Sequence, residues 1–298
     1  MLYFPEPPPL PDDQLAMGKA YLRYEDVSQD GRVMLGVLPS SLGQVVWRTL
    51  LGEHPIMRLG RTDGVVPILS RFVLIGDDGT VPIGRPLEVR GAYQMGHTRD
   101  GDGQVDRLLL NLWADLYGQK GRTYAPPPEG HGERVRVGRV FGEHVCTRLF
   151  AEPSRRKVLR FDDPELPEVP DAEYQWRAPS ATIALPDGAV PLDPEPICAS
   201  TISFGLGHTD SNQHVNSLVY PRLFEHAALQ HLAAHGRSTV ILARYAEVAY
   251  RKPCFAGERV RIMLRAYQHG DRLGAVGTFV GETDPDRPRC YVHLQFAG

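Results

Sequence analysis

The chain has 298 residues, is 42% hydrophobic and 23% charged, and carries a formal net charge of −3, a balance that excludes intrinsic disorder, collagen-like repeats and coiled coil. At roughly 150 residues per domain, this length predicts one large domain or two fused units, able to bury a core without disulfides or metals. Lys19, Lys120, Lys157 and Lys252 are the only lysines, and without a dense basic run nucleic acid is not the expected partner.

Residues 1–13 have neither a basic region nor a long apolar stretch, so they do not read as a signal peptide. Their prolines predict an extended surface arm. No later segment has about 18 uninterrupted apolar residues, so none is expected to span a membrane. A strand or hairpin is predicted over 20–38. A helix follows over 42–51, opened by Pro39-Ser40-Ser41 and closed by Gly52, and then strands near 64–75, 86–96 and 105–117. Between Asp162 and Pro196 eight prolines fall among acidic residues, which reads as a linker between a first unit, 15–161, and a second, 197–298.

The second unit begins with a strand near 199–207. Tyr220, Phe224, Ala228 and Leu232 then recur every four residues, with Leu223 and Ala227 beside them, a helical stripe that Gly236 would end. Pro221 is tolerated only in the first turn, so the helix is expected to start at Ser217 or Leu218, with Ser217 as N-cap. Strands are predicted over 240–250, 259–266, 272–281 and 289–297, the second alternating Arg259, Arg261, Met263 and Arg265 against Val260, Ile262, Leu264 and Ala266. The units repeat weakly: Arg71 precedes Gly84 and Arg244 precedes Gly257 by the same thirteen residues, and Ala-Tyr-Gln-x-Gly occurs at Ala92 and at Ala266. One helix followed by antiparallel strands, occurring twice, is an α+β pattern in which a sheet covers each helix.

Chemistry concentrates in Gly207-His-Thr-Asp-Ser-Asn-Gln-His-Val-Asn-Ser-Leu-Val-Tyr-Pro-Arg-Leu-Phe-Glu-His-Ala-Ala-Leu229. Its polar residues stand just before the long helix, where free N–H groups and the helix dipole suit an anion or a polarised carbonyl oxygen. In an extended loop Asp210, Asn212 and His214 would point the same way, offering a base for water, an oxyanion donor and a group to fix geometry. Backbone N–H groups among Val215, Asn216 and Ser217 are candidate oxyanion donors.

That segment resembles the signature of hotdog-fold thioesterases, D-x-x-x-H-V-N-x-x-x-Y-x-x-x-F-E, and especially the Asp-x-Asn-x-His-Val-Asn of fatty acyl-ACP thioesterases. Asp210, Asn212 and His214 fall on that family's catalytic positions. Tyr24-Glu-Asp-Val-Ser-Gln-Asp-Gly-Arg32 is similar to its opening strand and turn, and Ala249-Tyr-Arg-Lys-Pro-Cys254 to its Glu-Tyr-Arg-Arg-Glu-Cys, with Cys254 on the cysteine. Ala249 and Pro253 replace that run's two glutamates, so a four-residue constellation does not carry over whole.

The resemblance implies a double hotdog whose C-terminal repeat holds the chemistry. The N-terminal repeat, with Leu38-Pro39-Ser40-Ser41 at the matching position, would shape the acyl pocket. It implies a hydrolase of fatty acid biosynthesis and lipid metabolism, with an acyl carrier protein or coenzyme A thioester as substrate and no cofactor. A homodimer is left open. Four widely spaced cysteines, Cys146, Cys198, Cys254 and Cys290, with no C-x-x-C pair, fit a reducing cytoplasm.

Plainer readings stand beside these. Asp210 and Asn212 also suit caps and Asx-turns. Cys254 reads better as a packed residue than as a nucleophile, and Glu225 as structural. Glu247 is a candidate for the missing acid, against a solvated strand face. His226, His231 and His235 lack the glutamate of H-E-x-x-H and read as ordinary histidines rather than metal ligands. No glycine-rich nucleotide motif occurs. The competing functions are a hotdog dehydratase or hydratase, whose D-x-N-P-x-H places the histidine one residue later, and a non-catalytic acyl-binding protein.

Overall fold

In Arg259–His269 the apolar members of the alternation are buried and the arginines and Met263 are partly exposed, as a strand with one face on a core requires. The computed structural model describes residues 2–298. It divides into two units, one of Phe4–Phe72 and Asp77–Arg177, the other of Ala178–Gly298 with Val73–Gly76 and the first few residues.

The N-terminal unit contains β1 (Leu15–Ala20), a helical segment Leu42–Leu50, α1 (Pro55–Thr62), β2 (Val65–Gly76), β3 (Leu87–Arg99), β4 (Val105–Gln119), β5 (Arg134–Arg148) and the short β6 (Ala172–Glu173). Its sheet runs β1-β3-β4-β5-β2, with β6 on β3. The C-terminal unit contains the short β7 (Val190–Pro191), β8 (Ile197–Ser203), α2 (Val219–Ala234), β9 (Leu242–Tyr250), β10 (Arg259–His269), β11 (Arg272–Gly281) and β12 (Cys290–Ala297). Here the sheet runs β8-β10-β11-β12-β9, with β7 also pairing with β10. Chain order and sheet order are therefore the same in both units, and both are α+β.

Each sheet packs against its helix at glycines. A Cβ on Gly277 would lie 2.8 Å from a ring carbon of Phe224 and 2.0 Å from the Met263 carbonyl oxygen, so only glycine lets α2 and β10 approach β11 this closely. In the other unit a Cβ on Gly91 would lie 2.6 Å from a methyl of Val46. The α2 stripe is buried as its spacing predicts, at Tyr220, Phe224, Ala228 and Leu232. Gly236, with φ of 66°, follows the helix and donates its N–H to the Ala233 carbonyl.

Several expectations are corrected. Residues 20–38 form short turns closed by an isolated Val27–Val33 bridge, not a strand, because Asp26 folds back on Arg23 and Gly31 turns the chain at φ 92°. The helix at 42–50 has π geometry, with the Leu51 N–H donating to the Val46 carbonyl. Strand β5 and α1 were not foreseen. Helix α2 begins at Val219, and β8 ends at Ser203, followed by a tight 206–208 turn.

Within the proline-rich segment Leu166 and Thr182 are buried, and the Pro170 carbonyl lies 2.8 Å from His97 Nδ1. The N-terminal arm lies on its sheet, where Pro5 accepts from Trp113 Nε1 and Glu6 pairs with Arg139. Among the described residues no helix is long and apolar enough to cross a membrane.

Candidate active site

The loop between β8 and α2 is a closed turn rather than an extended strand. Thr209 and Val215 form an antiparallel bridge, and the Asp210 N–H donates to the His214 carbonyl at 3.1 Å. Gln213, at φ 66°, is the only non-glycine residue with positive φ among the described residues. The left-handed conformation disfavoured for a side-chain-bearing residue reverses the chain there, with the Gln213 N–H bonded to the Asp210 carbonyl.

This corrects the expected alignment of Asp210, Asn212 and His214. Asn212 is exposed at the tip, and its N–H is captured by Asp210 Oδ1 at 2.9 Å. Asp210 and His214 stand on opposite arms of the turn, joined through their backbones. The second oxygen of Asp210 accepts from Asn216 Nδ2 at 3.1 Å. Asn216 Oδ1 in turn accepts the Leu218 N–H at 2.9 Å, and its carbonyl accepts from Val219. The N-cap of α2 is Leu218, with no side-chain cap bond, rather than the predicted Ser217, and Asn216 holds the turn just ahead of it.

Neighbouring elements hold the loop from below. The Val215 N–H donates to the Cys254 carbonyl at 2.8 Å, and the Asn216 N–H to the His208 carbonyl at 2.9 Å. Of the three candidate oxyanion donors, these two are engaged, and Ser217 N–H has no partner among the described hydrogen bonds. Two tyrosines missed in the sequence complete the support. Tyr250 donates its hydroxyl to the Ser217 carbonyl at 2.8 Å, and the Tyr220 hydroxyl accepts the Cys254 N–H at 3.3 Å. Tyr220 stands at the Tyr of the sequence signature, and Tyr250 in the Ala249–Cys254 run. Burial raises the pKa of both, so both keep their protons at neutral pH.

His214 is half-buried, with Nδ1 3.3 Å from the Val215 carbonyl. With a proton on Nδ1 directed at that oxygen, Nε2 carries a lone pair, and it has no hydrogen-bond partner among the described residues.

The remaining candidates sit elsewhere or are chemically quiet. Cys254 is fully buried, and burial pushes its thiol up to about 11, so it is no thiolate at neutral pH. Glu225 lies along α2, where burial raises its pKa against the pull of the Ala243 backbone.

Glu247 is buried, not on a solvated face, and accepts from Thr182 Oγ1 at 3.0 Å and the Tyr245 hydroxyl at 3.1 Å. It is three residues from Tyr250 on β9, so the two project from opposite faces. Tyr250 reaches Tyr220 and Ser217, and Glu247 therefore faces away from the loop. A cavity of about 460 Å³ also opens on the face of β10 and β11 opposite α2, lined by Ile183, Leu185, Arg261, Met263 and Val280.

No family model matches the sequence, and no curated protein matches it significantly. Solved structures do. An acyl-ACP thioesterase from Bacteroides thetaiotaomicron is 15% identical over 96% of this chain and 99% of its own, with a TM-score of 0.61. The 12:0-ACP thioesterase from Umbellularia californica is 13% identical over 95% of this chain and 94% of its own, with a TM-score of 0.58. The chain has the fold of these proteins along nearly its whole length.

Proposed function

We propose that this chain is an acyl-thioester hydrolase built from two tandem hotdog units, releasing a free acid from an acyl-ACP or acyl-CoA at the loop ahead of α2. The observation that carries this reading is His214 with Nε2 unpartnered, three residues before the free Ser217 N–H. The whole-chain likeness to two acyl-ACP thioesterases supports it. Cys198 is exposed and the other three free cysteines are buried, which suits a reducing compartment such as the cytoplasm.

In this mechanism His214 Nε2 takes a proton from water as the water oxygen attacks the thioester carbonyl carbon. The oxyanion forms against Ser217 N–H at the positive end of α2, where one preorganised donor is worth about 2.7 to 4 kcal/mol. Collapse of the tetrahedral species breaks the C–S bond, and the thiolate recovers the proton from the imidazolium. Asp210 is a positioning residue, because both its oxygens hold the loop. Cys254 contributes its backbone carbonyl and not its sulfur.

Free-thiol release from a panel of acyl-CoA and acyl-ACP thioesters tests this. Wild-type protein is expected to turn over at least one of them, and His214→Ala to lose about 10²-fold or more in kcat. A folded wild-type protein that hydrolyses no thioester would overturn the proposal in favour of acyl binding.

A further inference from the structure

The last turn of α2 carries His231, and His235 follows directly at its C-terminal end. Four residues apart on a helix, they share one face, and their ring centroids lie 4.6 Å apart. The sequence offers no glutamate beside them, but the fold brings a carboxylate from the segment ahead of β8. His231 Nε2 lies 2.7 Å from Asp193 Oδ2, and His235 Nε2 lies 3.2 Å from Asp193 Oδ1. One donor atom from each of the three residues can be chosen so that all lie within 4.8 Å of one another. The Asp193 and His231 side chains are about nine-tenths buried, at 10% and 11% exposure, and His235 is 34% exposed.

We propose that Asp193, His231 and His235 form a zinc-binding site that clips the chain ahead of β8 to the C-terminal end of α2. Zinc bound tetrahedrally at about 2.0–2.1 Å needs donor atoms roughly 3.3 Å apart. The two short separations run to different oxygens of Asp193, and one donor from each residue lies within 4.8 Å of the others, so small side-chain rotations bring the three to the spacing zinc needs.

Two imidazoles with one carboxylate select zinc or a similar transition metal over magnesium or calcium. The negative end of α2 favours a cation there. Arg265 Nε meets the Asp193 backbone carbonyl at 3.2 Å, fixing residue 193 while leaving its carboxylate to the ion. The 16 residues of α2 span about 24 Å, so this site is separate from the His214 loop.

The test is calorimetric titration of the EDTA-stripped full-length chain with zinc chloride at neutral pH, with metal content measured after dialysis. One zinc per chain is expected to bind with micromolar or tighter Kd and to raise Tm. His235→Ala and Asp193→Asn are each expected to weaken binding at least tenfold. His226→Ala, which changes a histidine outside the cluster, is expected to bind as the wild type does. His235 is partly exposed, so its variant is expected to fold, as checked by circular dichroism. Absence of binding to folded wild-type protein, or stoichiometric zinc that persists in both His235→Ala and Asp193→Asn, would overturn the proposal.

Discussion

Asp210 commits one carboxylate oxygen to the Asn212 N–H and the other to the Asn216 side chain, while the partnerless nitrogen in the same turn belongs to His214. A base and a positioning residue respond differently to conservative change. Asp210→Asn keeps an acceptor for one of the two bonds, so its kcat is expected to stay within about tenfold of wild type, whereas Asp210→Ala falls about 10²-fold. Equally large losses in the two variants would make Asp210 the base instead. The polar residues of this loop were legible in the sequence, but their directions were not. An alternating Asp-x-Asn-x-His aligns three side chains only if the backbone is extended, and the left-handed Gln213 turns Asn212 outwards.

At the scale of single elements, strands with a clean two-residue period were placed within a few residues, as in β10, β11 and β12. Strand β5 was missed although Val135 and Val137 alternate with arginines, because Gly138 and Gly142 interrupt the pattern further on. That strand holds a buried histidine with a consequence for stability. His144 is 6% exposed, with Nδ1 3.2 Å from the Leu110 carbonyl, and burial pushes its pKa down to about 4.

Unfolded histidine titrates near 6.5, so between about pH 4 and 6.5 the unfolded chain binds the extra proton. Stability therefore rises with pH across that window, is full above it, and falls by up to ~3 kcal/mol on acidification towards pH 4. Urea midpoints measured from pH 4 to 7 should show this slope in wild type and a flatter one in His144→Gln. An unchanged slope in the variant would assign the acid sensitivity to other groups.

At the scale of the whole molecule, the two units share one strand order and one helix position, yet the segment ahead of the helix differs. Arg71 on β2 and Arg244 on β9 occupy matching strands and are both buried, at 1% and 5% exposure. Where the second unit has its His214 loop, the first has Leu38-Pro39-Ser40-Ser41, with Leu38 and Ser41 fully buried. A non-hydrolysable acyl-thioester analogue is therefore expected to bind at one site per chain, measured by calorimetry. Two equivalent sites would show that the N-terminal unit also binds the acyl group.

Local patterning by itself determined the α+β class, most of the second unit's strands and which polar residues stand ahead of α2. These follow from periodicity and turn residues, which act over a few neighbours. Tertiary structure alone decided which groups are free to react. Engagement of the Val215 and Asn216 N–H groups depends on carbonyls of Cys254 and His208, and the direction of Glu247 on the face of β9 that it occupies. The meeting of Asp193 with His231 and His235 likewise joins residues 38 and 42 positions apart. Hydrogen-bond satisfaction and burial are settled by partners distant in sequence, and spacing along the chain carries no record of them.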